Sequence, residues 1–398
     1  MVAMLLLGFA SGLPYLLSGD TLKLWLRDVG SDVKTIGAFA LVTLPYAIKV
    51  LWAPLVDRFV PPLLGRRRGW LLGCQLAIAA VLVGIAGSRP DDGLTAVAAL
   101  ALALAFLSAT QDVVADAWRA DVLDEREAGV GVAVFVGGYR SGLLVAAALA
   151  PILAVRMPWA TVYLAMAGLM VIGMVGTALA PEPAIPASPP TLSQAVVGPA
   201  RDLRARLGYR LPIVLLFALT YKLGDQLAGN LAGTFLQDIG FTKDAIGAIR
   251  GGIGLAASVG GVFLGGAIIV ALGIPRALWI FGALQALSNL GYLALAEIGP
   301  RHDVMAAVVV VENICGGLGT AAFLGFLLKQ CDPRYSATEF ALFTSLMALG
   351  GIALSAGSGA LPVRYGWSTF FLVSIAASLP GLLCLIRVAP WSSPPQRG

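Results

Sequence analysis

The residues of this sequence with chemistry to offer are charged groups set inside apolar helices. In the stretch FLSATQDVVADAWRADVLDER (106–126), Ser108, Asp112 and Asp116 recur every four residues. Arg119 continues the stripe and Gln111 lies beside it, so at 3.6 residues per turn these side chains share one helical face. An ionised group in hydrocarbon is costly unless a partner or a wet cavity faces it, so this helix must line something. Four cations, Lys49, Arg140, Lys222 and Arg250, and two carboxylates, Asp225 and Glu312, interrupt other apolar stretches. Fixed cations suit a substrate bearing carboxylates, and an equally simple reading has each one neutralise a buried acid. Asp112, Asp225 and Glu312 are candidate proton carriers. Desolvation favours a neutral carboxyl and a nearby cation favours an ionised one, so movement between the two settings takes up and releases a proton. Lys222 and Asp225, three residues apart, could also pair with each other. Asp116, close to the helix end, reads as a gate residue partnered by Arg119.

Neutral sugar recognition needs amides, hydroxyls and an aromatic face. Gln111, Asn230, Asn313, Tyr15, Tyr46, Tyr139 and Tyr221 supply those groups. Any one of the tyrosines has packing or an interfacial belt as its simpler reading, whereas an amide such as Gln111 in mid-span is not there for packing. Gly12, Gly138, Gly142, Gly316, Gly317 and Gly319 suit close helix approach at a moving interface.

The elements that must position these groups follow from composition. The chain has 398 residues, 58% hydrophobic and 12% charged, with a mean hydropathy of +0.87, which defines an all-α polytopic membrane protein. One His and four scattered Cys offer no metal-ligand spacing and no disulfide framework. The net charge of +5 is spread over short loops rather than gathered with aromatics into a nucleic-acid surface. Twelve stretches of about 20 residues can cross the bilayer. They lie near 2–25, 35–57, 70–88, 94–118, 128–153, 159–180, 210–232, 245–271, 277–296, 303–328, 337–360 and 367–388. The chain opens inside an apolar run, so the first span is expected to act as an uncleaved signal-anchor. With the amino terminus in the cytosol, inner connections hold fifteen of the 27 Lys and Arg and outer connections eight, which places both termini inside. Residues 181–208 are Pro-rich and then basic, as a cytosolic linker between six-helix bundles at 1–180 and 209–398 would be.

An internal repeat supports that division. LWLRDVGSDVKTIGA (24–38) matches TFLQDIGFTKDAIGA (234–248) at an offset of 210, VRMPWATVYL (155–164) matches VRYGWSTFFL (363–372) at 208, and Gln75 and Gln285 again differ by 210. Three matches in one order indicate a duplicated six-helix unit, the design of alternating-access transporters. APLVDRFVPPLLGRRRGWLL (53–72) resembles the signature loop of the major facilitator superfamily. There an Asp and following Arg residues lock the cytosolic gate, which nominates Asp57, Arg58 and Arg66 beside Asp116 and Arg119. Pro61 and Pro62 lengthen the spacer relative to that pattern, and the corresponding loop near 272–276 lacks it. Arg67 and Arg68 are read equally well as topology signals alone.

The resemblance then narrows. GFASGLPYLLSGDTLKLWL (8–26), ATQDVVADAWRADVL (109–123), YKLGDQLA (221–228), ENICGGLGTAAF (312–323), SATEFAL (336–342) and YGWSTFFLVS (365–374) look like AmpG-type muropeptide permeases over essentially the whole chain. The resemblance implies a monomeric, cofactor-free importer in the inner membrane of Gram-negative bacteria, driven by protons. Its substrate would be N-acetylglucosaminyl-1,6-anhydro-N-acetylmuramic acid and its peptides, taken up for cell-wall recycling. Related branches carry siderophores or acetyl-CoA, which leaves other anionic solutes open. The segment SLMALGGIALSAGSGA (345–360) lacks an Arg associated with the family. A membrane-embedded enzyme using Asp112 and Asp116 is the alternative of a different class, with no His beside them and no loop long enough for a catalytic domain.

Overall fold

A computed structural model of the chain describes residues 1–30, 39–88, 94–124, 127–184 and 188–391. Eleven helices among these residues are long and apolar enough to cross a membrane. The twelfth expected span, 35–57, begins outside the described residues. Its described part is broken into 3₁₀ turns and two short helices, α3 (Leu44–Ile48) and α4 (Ala53–Arg58), where Pro45 and Pro54 remove backbone donors.

The first span is α1 (Val2–Ser18) and α2 (Asp20–Asp28), divided at Gly19. Then come α5 (Arg66–Gly87), α6 (Leu94–Val122), α7 (Ala128–Leu144), α8 (Ala150–Ala154) and α9 (Trp159–Leu179). The expected linker is only partly extended, because it folds into α10 (Leu192–Leu207), which buries Ala195, Pro199 and Leu203 on one side and exposes Arg201 and Arg204. Spacings of four residues put the three buried side chains on a single stripe. The seventh span is two helices, α11 (Leu211–Thr220) and α12 (Leu223–Asp238), with Lys222 at the break. Beyond it lie α13 (Lys243–Ile246), a π-helical stretch at Gly247–Gly254, α14 (Leu255–Leu272), and α15 (Ile274–Ser288) with α16 (Leu290–Ile298), parted at Asn289. The chain ends with α17 (His302–Lys329), α18 (Ser336–Ala356) and α19 (Ala360–Val388), the last carrying Gly366 at φ +82.

The helices gather into two compact units, one of Met1–Leu123, Val134–Pro199 and Cys331–Leu342, the other of Asp124–Ala133, Ala200–Gln330 and Phe343–Gly398. The linker is therefore divided at Pro199, and α18 has its first turns in one unit and its remainder in the other.

The repeat is visible as packing. In the first unit Trp25, Trp159 and Tyr163 form an aromatic triad, with ring centroids 6.3 Å (Trp25–Trp159), 5.2 Å (Trp25–Tyr163) and 6.5 Å (Trp159–Tyr163) apart. In the second unit Phe235, Trp367 and Phe371 do the same at 5.3, 4.9 and 6.3 Å. These are the residues that the offsets of 210 and 208 pair with one another, so the duplication preserved a contact and not only a string of letters. Each such pair contributes about 0.5–1.5 kcal/mol beyond its buried area.

Glycine sets the closest helix approach in the first unit. A Cβ at Gly12 would stand 2.0 Å from the Tyr139 carbonyl oxygen, one at Gly138 2.1 Å from that of Leu5, and one at Gly142 2.3 Å from that of Phe9. Backbone cannot yield as a side chain can, so α1 and α7 touch only because these positions are bare. Gly317 plays the same part against Ser258 on α14, while Gly316 and Gly319 instead leave room for the Asp225 and Gln285 side chains. Each of these glycines thus has its close contact inside its own unit. Gly12→Ala is expected to destabilise the protein by roughly 1–3 kcal/mol through overpacking. Gly168→Ala, with open space around its Cβ, serves as the control, and thermal unfolding of the detergent-solubilised variants measures both.

Candidate functional site

Three charged clusters carry the chemistry, two in the first unit and one in the second. The first is built on the 106–119 stripe. Asp116 on α6 is buried, receives Lys49 Nζ at 3.5 Å and pairs with the Arg119 guanidinium one turn on. Arg119 also lies over the Phe135 ring, 3.9 Å from its centroid, so its planar face is used as well as its edge. Lys49 therefore has a carboxylate to hand, as the neutralising reading requires. Asp112, one turn toward the helix middle, is half-buried within electrostatic reach of Lys49, Asp116 and Arg119 and of the Tyr15, Tyr46 and Tyr139 phenols. Gln111 is 1% exposed and donates from Nε2 to Ser11 Oγ at 3.4 Å. Arg140, on α7 next to Tyr139, is half-buried.

The second cluster surrounds Asp57. This carboxylate is fully buried and accepts from Arg66 at 3.0 Å, Arg67 at 3.3 Å, the backbone N–H groups of Ala337 and Thr338 at 3.3 and 2.8 Å, and the Thr338 hydroxyl at 2.7 Å. It thus caps the first turn of α18, where helical N–H groups have no partner of their own and the helix dipole favours an anion. Arg67 is the hub: its Nε donates to Asp121 at 2.7 Å and its NH2 to Ser336 Oγ at 2.7 Å. Reading Arg67 as a topology signal alone is therefore overturned, since a fully buried guanidinium shared between two acids serves a structural purpose. Arg58 stands apart from this cluster, 5.6 Å from the centroid of the Phe59 ring.

Glu182, at the start of the linker, caps the neighbouring helix. Its carboxylate accepts from the Arg67 and Arg68 N–H groups at 2.8 and 3.0 Å, at the amino end of α5. Gly65, at φ +83, lets it come so close, because a Cβ there would meet Glu182 Oε1 at 2.6 Å. Asp121, Glu182, Ser336 and Thr338 are absent from the sequence reading. Their residue types are capping types, and nothing in a single sequence says which helix end they reach.

The third cluster occupies the second unit. Lys222, at the break between α11 and α12, is 2.8 Å from Asp225 Oδ2 and donates to Gln285 Oε1 at 2.8 Å and to the Gly316 carbonyl at 3.3 Å. Gln285 is the repeat mate of Gln75, which in the first unit accepts from Thr177 at 2.9 Å. Glu312 accepts from Tyr292 at 3.4 Å and from Asn313 at 2.8 Å, and lies within electrostatic reach of Arg250, Lys222 and Asp225. Arg250 sits in the π-helical stretch and donates to the Gly229 carbonyl at 3.3 Å. Tyr221 is committed to packing: its hydroxyl donates to the Leu278 carbonyl at 2.9 Å and its ring stacks on Phe323 at 5.3 Å. Asn230 is exposed. The sequence candidates thus fall together unit by unit, Lys49, Asp112, Asp116 and Arg119 in one and Lys222, Asp225, Arg250, Glu312 and Asn313 in the other.

Apolar helices in two repeat-related units, each holding buried charge, define a multi-pass membrane transporter rather than an enzyme. The chain belongs to the Major Facilitator Superfamily, whose sequence pattern matches residues 2–355. It is 44% identical over 387 residues to the anhydromuropeptide permease of Escherichia coli K12, covering 96% of this chain and 78% of that one. It is 39% identical over 394 residues to an uncharacterized protein of Haemophilus influenzae, with 96% and 93% covered. Among solved structures, the human organic anion transporter MFSD10 (TETRAN) superposes with a TM-score of 0.66 at 17% identity, over 96% of this chain and 97% of that one, which speaks to the fold alone.

Removing Asp57 would leave Arg66 and Arg67 short of a counter-charge in a dry setting. Asp57→Ala is therefore expected to lower stability by about 3–5 kcal/mol. Arg58→Ala should stay within roughly 0.5 kcal/mol of the parent, as an exchange outside any such network does. Denaturation of the purified variants in one detergent compares the two.

Proposed function

We propose that this chain imports anhydro-muropeptides, N-acetylglucosaminyl-1,6-anhydro-N-acetylmuramic acid and its peptides, across the bacterial inner membrane by proton-coupled alternating access. The observation that carries the substrate class is the similarity to the E. coli permease along almost the entire chain. The excess of Lys and Arg in alternate connections supports both termini in the cytosol. A monomer suffices, because the repeat places both bundles in one chain.

The geometry supports a coupling chemistry. Lys222 is held by Asp225, and Lys49 by Asp116, so each cation is already matched before substrate arrives. A carboxylate on the substrate would compete for the cation. The displaced aspartate, left desolvated, then lowers its energy by taking a proton. Anion and proton would bind together because each removes the electrostatic penalty of the other. Asp112 would carry the second half of this exchange, with Lys49 and Arg119 close enough to expel its proton when they approach. Arg140, Gln111, Tyr139, Asn313 and Arg250 would contact substrate, and Asp57 with Arg66 and Arg67 would hold the gate closed through α18.

Proteoliposomes loaded with protein and given labelled anhydro-muropeptide are expected to accumulate it under an inward proton gradient and to lose that accumulation with a protonophore. Uptake indifferent to the protonophore would remove the coupling. Asp112→Asn is expected to abolish accumulation while leaving exchange of labelled for unlabelled substrate measurable, since exchange needs no net proton movement.

A further inference from the structure

Along α6, beside Asp112, side-chain oxygens have been buried without partners. Ser108 is 0% exposed and Gln111 1%, and the Oγ of the one and the Oε1 of the other meet no hydrogen-bond partner among the described residues. The Tyr46 hydroxyl, on α3, is buried and likewise meets no partner at full hydrogen-bond geometry, its polar neighbours being Ser108 and Ser18, with which it interacts more loosely. Tyr46 packs edge-on against Tyr15, with ring centroids 4.7 Å apart, and the Tyr15 phenol lies within electrostatic reach of both Asp20 and Asp112. Ser11, on the other side of Asp112, accepts the Gln111 amide.

These are polar groups in a row. Ser18 stands next to the exposed Asp20 at the end of α1, Tyr46 and Ser108 follow, and Gln111 and Asp112 lie one turn beyond on α6. Leaving an oxygen buried and unbonded costs about 1–3 kcal/mol, and three such atoms together exceed what one helix contact returns. Apolar cavities stay dry, but a site with several polar partners holds water. Packing does not explain the arrangement either, since Ala at 108 would fill the helix face without the penalty.

We infer that this row is an internal hydration site, a short file of water molecules bound by Tyr46, Ser108 and Gln111 that leads from the Asp20 end of α1 to Asp112. In transport the file would deliver protons to Asp112 by exchange along hydrogen bonds, each water accepting one proton and passing another on, with no net chemistry at Tyr46 or Ser108. The charged and titratable groups facing Asp112 are Lys49, Asp116, Arg119, Tyr15, Tyr46 and Tyr139, and at the Asp20 end of the row Lys23 pairs with Asp20 at 2.9 Å. The delivery step rests on the assignment of Asp112 as proton carrier. The hydration does not.

Hydroxyl-radical footprinting of the full-length protein in detergent separates these claims, because radicals made from a bound water oxidise the residue beside it. Tyr163 is the internal control, a fully buried tyrosine whose hydroxyl, enclosed like that of the half-buried Tyr46, donates to the Leu17 carbonyl at 2.9 Å. Tyr46 is expected to be oxidised roughly tenfold faster than Tyr163, the contrast set by a bonded against an unbonded hydroxyl. Equal rates would overturn the hydration site. In proteoliposomes Ser108→Ala is expected to lower the ratio of gradient-driven uptake to substrate exchange by roughly tenfold, with Ser108→Thr restoring it. An unchanged ratio would overturn the proton route. Tyr46→Phe provides the same ratio if Ser108→Ala fails to fold. Absence of substrate exchange in the parent protein would instead count against the proposed function and leave the footprinting result standing.

Discussion

A carboxylate inside an apolar unit has to meet a cation, a donor or water, and the placement of acidic side chains in this protein follows from that demand. Asp116 meets Lys49 and Arg119, Asp57 meets two arginines and a helix end, Asp121 meets Arg67, and Asp225 meets Lys222. Each partner comes from the same unit. A charge neutralised by its own unit stays neutralised when that unit moves as a body, so rigid motion carries no burial penalty for these groups. The duplicated aromatic triads and the glycine contacts between α1 and α7 tie helices together within their own units.

The breaks in the helices belong to the same logic. Lys222 ends α11 and precedes α12, where a nitrogen can reach Gln285 and the Gly316 carbonyl as well as Asp225. Asn289 parts α15 from α16 and donates to Ser374 at 3.2 Å. Interrupted helices expose backbone groups, and in a membrane these are tolerated only where protein or water satisfies them. Polar side chains therefore collect at the interruptions.

Hydropathy made eleven of the twelve expected spans legible, because transfer of an apolar side chain is a local property. The stripe from Ser108 to Arg119 was legible for the same reason, helical periodicity being local too. The repeat foretold Trp25 and Phe235 as equivalent positions, though not that both would enclose an aromatic triad. Partner choice was out of reach. Arg67 reads as one more basic loop residue until α18 arrives from 269 residues further along with Ser336. Glu182 reads as part of a Pro-rich linker until it caps α5. Arg58, in the last turn of α4, has the same charge as Arg66 at the start of α5, yet Arg66 enters the Asp57 cluster while Arg58 stays at the Phe59 ring. Lys49 was legible as a buried cation, and its pairing with Asp116 depended on the fold of α3, which prolines rather than hydropathy determine.

The Asp57 cluster combines contacts of two strengths. Its five donors fall into two kinds. Arg66 and Arg67 sit on α5, in the sequence stretch that also carries Asp57, and follow it wherever it goes. Ala337 and Thr338 sit at the start of α18, whose remainder belongs to the other unit. If α18 withdrew, the carboxylate would keep both guanidinium partners and never stand alone. The groups released would be first-turn N–H donors and a hydroxyl, which water at a helix end satisfies readily. Each exchange then has a net cost of about 0.5–1.5 kcal/mol rather than the penalty of an unpaired charge. Three such bonds favour the capped arrangement.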